Sequence, residues 1–388
     1  MIEKPPLSQS PAPAAHIARA RDDPTRAGLE ASACLTAFGD ERATWKALCE
    51  GRSCLKALPV RGEQGGEKAP LAVRGEMTCQ LPQRWIGDLR TLANAADRYA
   101  GWGHPGFPVI MTSSNFSIES LYAHRVIGLG EEHTSWGAIH RCGDSLRRAF
   151  GWGPDLRILS HACVSASLGL RLAGRMLQTG DAQKVLVFSF DYLSPFVAAG
   201  FHSLKILNGD FPAPYQKRGT GSIGLGDGAG FAVLTKDAAP FALSHQVCWN
   251  EMFHLTGNEP GGSGFGFINR ELTAGLGGRS AWIRGHGTGT LEAGRMECES
   301  WAAALPDAPL VAWKGGIGHT LGSCGIVELA IATTALREGK APGTVASAAP
   351  FFTGQVAAEA LDITGFDAAI LTANAFGGAH SGLILTHG

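Results

Sequence analysis

Apolar and polar positions alternate along the chain in blocks that read as strand, helix, strand. Leu156 to Ser160 reads as a buried strand, Val164 to Gln178 as a helix closed by Gly180, and Lys184 to Phe190 as a second strand. This β-α-β grammar returns in the second half. Pro309 to Trp313 reads as a strand, a glycine-bearing loop follows, and a helix runs from about Leu321 to Arg337, closed by Gly339. Ala368 to Thr372 and Leu383 to Leu385 read as strands joined by a turn from Asn374 to Ser381. Earlier, Ala43 to Glu50 is helix-like and Gly51 closes it, whereas Val60 to Trp85 is loop-rich. Residues 1–26 carry Pro, Ala and Arg without apolar periodicity and are expected to form a flexible extension. The repetition divides the remainder into two similar halves, 27–238 and 239–388.

Composition narrows the function classes. The chain has 388 residues, 45% hydrophobic and only 17% charged, so two layered units can share a large core and part of the surface is expected to be covered by a partner subunit. Thirty-three basic residues face 34 acidic ones, a balance that argues against nucleic acid or an anionic membrane as the main partner. Nine scattered cysteines, none in a C-x-x-C pair, read as reduced thiols. No run is long enough to span a bilayer, and Glu3 and several prolines stand where a signal core would be apolar. A cytoplasmic protein is expected.

Three residues stand out chemically. Cys163 lies between a strand and a helix, where the unpaired N–H groups of the helix start favour a thiolate. His286 in Gly-His-Gly-Thr-Gly-Thr and His319 in Gly-Gly-Ile-Gly-His-Thr each follow an apolar strand in the opposite half. Neutral imidazoles converging on a thioester can donate hydrogen bonds to a carbonyl oxygen becoming an enolate. The same three types suggest a metal set, but no short-range ligand pair accompanies them, and no metal is expected. Gly219-Thr-Gly-Ser-Ile-Gly matches a dinucleotide fingerprint, yet Phe231 to Leu234 after it reads as a strand where that site needs a helix, so no nucleotide cofactor is expected.

With these residues in place, the chain from about Gly28 onward resembles the β-ketoacyl-acyl carrier protein synthases, above all the elongating type II fatty-acid enzymes and the polyketide ketosynthases. The resemblance rests on Ala162-Cys163-Val-Ser-Ala-Ser, on Asp191 with Leu193-Ser-Pro-Phe, on Gly200-Phe201, and on Gly226-Asp-Gly-Ala-Gly. It rests further on His286-Gly-Thr-Gly-Thr, Lys314 five residues before His319, Glu328 nine after it, and Phe376-Gly-Gly. It implies an α/β thiolase fold of duplicated five-layer α-β-α-β-α architecture. It also implies decarboxylative Claisen condensation of malonyl-carrier protein with an acyl chain on Cys163. His286 and His319 would stabilise the enolate, Lys314 and Glu328 orient and polarise the His319 region, and the N–H groups of Cys163 and Phe376 form the oxyanion hole. Phe376 would also gate the pocket. The implied partners are acyl carrier protein and a second synthase chain, identical or paralogous. Arg147, Arg148, Lys217 and Arg218 are basic residues that such a carrier could meet, though exposed charges are more often only a solvated surface.

The sequence departs from the family pattern in places. Gly294 stands where an Asp is usual, removing a local anchor, although Glu297 keeps the acid three residues on. The C-terminal turn is one Phe-Gly step short and carries His380 where Asn is common, and His161 precedes Ala162-Cys163 where Thr is usual. Gly294 and the shortened turn keep open a non-catalytic subunit that sets chain length beside an active synthase, although the presence of Cys163, His286 and His319 argues against it. A thiolase-like condensation of coenzyme A esters is a further alternative. The acyl length and the choice between fatty-acid and polyketide pathways stay open.

Overall fold

The computed structural model describes residues 23–61, 66–77, 84–128, 134–219 and 221–388. Cys79 and residues 1–22 of the extension lie outside these. Residues 23–26 lie against the second half, where Asp23 accepts from His245 N at 2.5 Å and Thr25 Oγ1 from Gln246 N at 3.0 Å.

Among the described residues, ten strands form the continuous path of the main sheet. The first five are β1 (Ala27–Thr36), β2 (Val109–Thr112), β3 (Leu156–Leu159), β4 (Lys184–Asp191) and β5 (Gly228–Thr235). The second five are β6 (Phe241–Asn250), β7 (Ala281–Arg284), β8 (Leu310–Val311), β9 (Ala368–Ala375) and β10 (Ala379–His387). The first five lie in the order β3-β2-β4-β5-β1 and the second five in the order β8-β7-β9-β10-β6. Position for position this is one topology used twice, with the first three strands of each order mutually parallel and the last two pairings antiparallel. The two sheets join where β1 pairs antiparallel with β6.

Helices fill the layers. They are α1 (Glu41–Cys49), α2 (Ile86–Ala96), α3 (Ile139–Phe150), α4 (Ser165–Thr179), α5 (Ser263–Leu276), α6 (Leu291–Ala304) and α7 (Cys324–Glu338). α2 and α3 cover the outer face of the first sheet, and α5, backed by α6, covers that of the second. Between the sheets lie α4 and α7, each touching strands of both. The pleat explains how one strand serves two cores. Leu186, Phe188 and Phe190 of β4 join the cluster under α2 and α3, whereas Val185 and Val187 join the central one. In the second sheet Ile283 and Ile370 face outward and Trp282 and Leu371 inward. Every residue of α7 from Cys324 to Leu336 is buried, as a helix apolar on nearly all sides must be. This central layer accounts for the low charge of the chain.

The expected elements fall where the pattern placed them, with four differences. The stretch read as loop-rich, Val60 to Trp85, carries a strand at Lys68–Ala72. β3 is an edge strand whose residues are only half-buried, because a partner strand covers one side. The strand expected over Pro309 to Trp313 shortens to Leu310–Val311, since Lys314 to Ile317 turn into a short helix. The turn expected over Asn374 to Ser381 contracts to Phe376, Gly377 and Gly378, the two glycines at φ of 84° and 71°. Pairing persists up to Ala375↔Ala379, and across the preceding pair His380 Nδ1 lies 2.8 Å from Asn374 Oδ1.

Leu329 is fully buried at the middle of α7. Leu329→Ala is expected to lower unfolding free energy by about 2–5 kcal/mol, read as a fall in urea midpoint at unchanged m-value.

Candidate active site

Two chain reversals meet at the centre of the molecule. In the first half β3 runs into Ala162, which takes a left-handed φ of 44°, and then into Cys163, ahead of α4. In the second half, the chain leaving Lys314–Ile317 passes His319, takes a left-handed φ of 53° at Leu321, and enters α7. L-residues adopt this conformation at a cost of about 1–2 kcal/mol, so packing must hold both reversals. The contact between them is backbone against backbone. A Cβ on Gly322 would lie 2.6 Å from Ser114 N and 3.0 Å from Ala162 O, so only glycine lets the reversals approach this closely. Cys324 Sγ completes the contact, donating to Cys163 O at 3.2 Å.

This approach places Cys163 Sγ 3.0 Å from His319 Nε2. The His286 ring stands perpendicular to that of His319, centroids 5.1 Å apart. All three line a cavity of about 240 Å³ with Phe201, Thr288 and Phe376, and the Phe201 and Phe376 rings stack at 6.1 Å. A more open cleft of about 400 Å³ beside α5 and α6 holds neither histidine nor cysteine.

Backbone ties fix both histidines. His319 N donates to Gly224 O at 2.7 Å, and Gly226 N donates to His319 O at 3.0 Å, so the backbone leading into the Gly-Asp-Gly-Ala-Gly segment holds that of His319 from the other half. Asp227 in that segment is itself fully buried, accepting from Leu193 N at 2.6 Å and Arg74 N at 2.7 Å and pairing with Arg84. Glu297 accepts from His286 N at 2.6 Å and Gly287 N at 3.0 Å, and Tyr215 Oη donates to it at 2.9 Å. The anchor that Gly294 seemed to remove is thus supplied by Glu297 and Tyr215.

Lys314 Nζ donates to Glu328 Oε1 at 2.9 Å, with both side chains buried. Pattern reading missed a third member. Arg284 Nη1 lies 2.8 Å from Glu328 Oε2 and is as deeply buried. The available signal was a charged residue closing the apolar run Ala281-Trp-Ile two positions before His286. It also missed the pair of His380 Nε2 with Glu251 Oε2 at 3.4 Å beside the C-terminal turn. Arg147 and Arg148, read as possible carrier contacts, are both paired with Asp144.

Burial dominates the electrostatics. It pushes the Cys163 thiol up, Cys324 adds to the rise, and Lys314 opposes it. The thiolate expected from the helix start is therefore outweighed, and α4 begins only at Ser165, two residues on. Burial likewise holds both imidazoles well below the usual histidine range, with Lys314 reinforcing the effect on each. The resting pair is a neutral thiol beside a neutral imidazole. Such a pair becomes nucleophilic when the thiol proton passes to the imidazole during attack, and a neutral ring with an N–H can donate to a developing oxyanion.

The family model for the β-ketoacyl synthase C-terminal domain matches residues 278–347. The tetracenomycin polyketide synthase ketoacyl synthase alpha subunit of Streptomyces glaucescens is 28% identical over 230 residues, covering 52% of this chain and 53% of that protein. The 3-oxoacyl-[acyl-carrier-protein] synthase 2 of Coxiella burnetii is 26% identical over 220 residues, covering 50% and 51%. The chain is similar to β-ketoacyl synthases over these stretches. These matches span about half the length of either relative. A ketosynthase solved with its chain length factor from Xenorhabdus doucetiae superposes with a TM-score of 0.78 at 21% identity, covering 94% of this chain and 98% of that one. The fold is the thiolase fold in its duplicated five-layer form. Among the described residues no helix is long and apolar enough to cross a membrane.

Glu328→Gln would leave two buried cations without their anion. A loss of about 3–5 kcal/mol in unfolding free energy is expected, measured by urea denaturation at pH 7.

Proposed function

We propose that this chain is a catalytic β-ketoacyl-acyl carrier protein synthase, in which residues 27–238 supply the nucleophile and residues 239–388 the histidines. The observation that carries this reading is the 3.0 Å approach of Cys163 Sγ to His319 Nε2, with His286 perpendicular beside them in one cavity. A subunit that only shaped an acyl tunnel would have no need of this set.

In the first half-reaction Cys163 sulfur attacks the thioester carbonyl of an acyl-carrier protein. Its proton passes through His319 to the departing carrier thiol, and the N–H groups of Cys163 and Phe376 receive the oxyanion. In the second, malonyl-carrier protein enters past Phe376, and its thioester oxygen accepts hydrogen bonds from His286 and His319. The bond to the carboxylate breaks, carbon dioxide leaves, and the electron pair passes onto the thioester oxygen as an enolate. Its α-carbon attacks the acyl carbonyl on Cys163 and breaks the C–S bond, yielding a β-ketoacyl-carrier protein two carbons longer, and the departing Cys163 thiolate takes up a proton from solvent to restore the thiol. Lys314 and Glu328 orient and polarise the region beneath His319. A second synthase chain, identical or paralogous, completes the assembly, as a chain length factor does for the Xenorhabdus ketosynthase.

Intact-mass measurement tests the reading. Incubation with acyl-carrier protein is expected to add one acyl group at Cys163, and malonyl-carrier protein then to release a product two carbons longer. Cys163→Ala is expected to abolish acylation, a loss above about 10³-fold. His286→Ala and His319→Ala are each expected to slow carbon dioxide release about 10²–10³-fold. Absence of acylation by any carrier-bound donor, alone or beside a paralogous chain, would favour the chain-length partner instead. Acylation from coenzyme A esters without carbon dioxide release would favour the thiolase-like alternative.

The histidines also set a pH expectation. Because burial lowers both values, the rings stay neutral as pH falls through 6.5 and protonate only further down. Carbon dioxide release is expected to show no inflection near pH 6.5. A half-maximal rate there would mean that the imidazoles titrate as exposed ones do.

A further inference from the structure

The ion cluster beneath the histidines holds more cation than anion. The Glu328 carboxylate sits between Lys314 Nζ, 2.9 Å from Oε1, and Arg284 Nη1, 2.8 Å from Oε2, and no side chain of the three is more than 2% exposed. Lys314 alone already neutralises Glu328. The second cation leaves the cluster with a net charge of about +1 and adds the desolvation of a guanidinium. Arg284 is also poorly satisfied, since beyond Glu328 its Nη1 reaches Gly285 O only at 3.3 Å and its Nε has no partner. A buried charge that is neither needed for neutrality nor fully hydrogen-bonded works against stability, and proteins keep such arrangements chiefly at functional sites. Its location suits that role. Arg284 ends β7, and two residues later the same backbone carries His286 into the cavity.

Resting on the synthase reading above, we propose that Arg284 is a positioning residue for the decarboxylating step. As the second cation on Glu328, it makes the buried cluster net positive, which keeps the His286 imidazole in its neutral, donating form and favours negative charge on the thioester oxygen. Arg284 touches neither substrate nor reacting atoms and acts only through this field. The step itself balances as written above, with carbon dioxide as the sole leaving group and the electron pair on the enolate oxygen. The charged and titratable groups facing His286 are Lys314, His319, Arg284 and His380, and both cations of the cluster oppose its protonation. Those acting on Cys163 are Cys324, Lys314 and Asp191.

The test compares the wild-type protein with Arg284→Met, Arg284→Gln and Arg284→Lys, each checked for folding by circular dichroism. Two readouts are taken between pH 4 and 9. One is the titration of the His286 ring, followed by NMR on protein carrying ring-labelled histidine. The other is carbon dioxide release from malonyl-carrier protein. Removing the charge is expected to raise the pH at which His286 protonates by about one unit and to cut carbon dioxide release at least tenfold, with its acid limb moved to higher pH. Arg284→Lys is expected to keep both within about threefold of wild type. A folded Arg284→Met or Arg284→Gln with wild-type midpoint and rate would overturn the proposal, as would an Arg284→Lys as impaired as the neutral variants. Failure of both neutral variants to fold, with Arg284→Lys folded, would make Arg284 a structural cation and overturn it too. If the wild-type protein releases no carbon dioxide, the synthase reading fails, and the His286 titrations still decide whether Arg284 tunes the site.

Discussion

The site depends on the backbone contact between two chain reversals, one from each half. Gly322 lies against Ala162 and Ser114 with no room for a Cβ, and this brings the start of α7 onto the start of α4. Everything else follows from that approach. Cys163 and His319, 156 residues apart in the chain, come within 3.0 Å, and Ala162 and Leu321 hold left-handed conformations that neither would keep alone. Duplication makes the contact geometrically natural. Because both halves use one strand order and join through β1 and β6, corresponding helices of the two halves share the central layer.

The same burial that makes the contact rigid sets its electrostatics. Removing water raises the thiol and lowers the imidazoles, so the resting site is a neutral pair whose charges appear only as a reaction proceeds. Lys314, Glu328 and Arg284 are the permanent charges nearby, carried at the buried base of the site where solvent does not screen them. A cavity with neutral donors in its wall and a positive cluster behind them suits chemistry in which an anion forms and is consumed without leaving the protein.

Much of this was legible in the chain. The strands of β4 and β5, the helix of α4 with its closing Gly180, and the glycine-flanked histidines all announce themselves through local pattern, because apolar periodicity and glycine placement reflect the pleat and the cap directly. Other features were not legible for physical reasons. β3 reads as buried from its apolar content, yet whether a strand lies at an edge depends on what pairs with it. Cys163 seemed set for a depressed thiol because helix placement is visible in sequence and depth of burial is not. Gly294 looked like a missing anchor until Tyr215, 82 residues from Glu297, proved to share its work.

The sequence by itself determined the two-fold grammar, the chemical types at 163, 286, 314, 319 and 328, and the order of strand, reversal and helix around them. These are local properties, written in residues adjacent or a few turns apart. Only the tertiary structure decided which of them meet, how far the thiol and imidazoles are removed from water, and that Arg284 is a second cation on Glu328. Distances between halves and the loss of solvent are properties of the packed layers, and no stretch of chain encodes them alone.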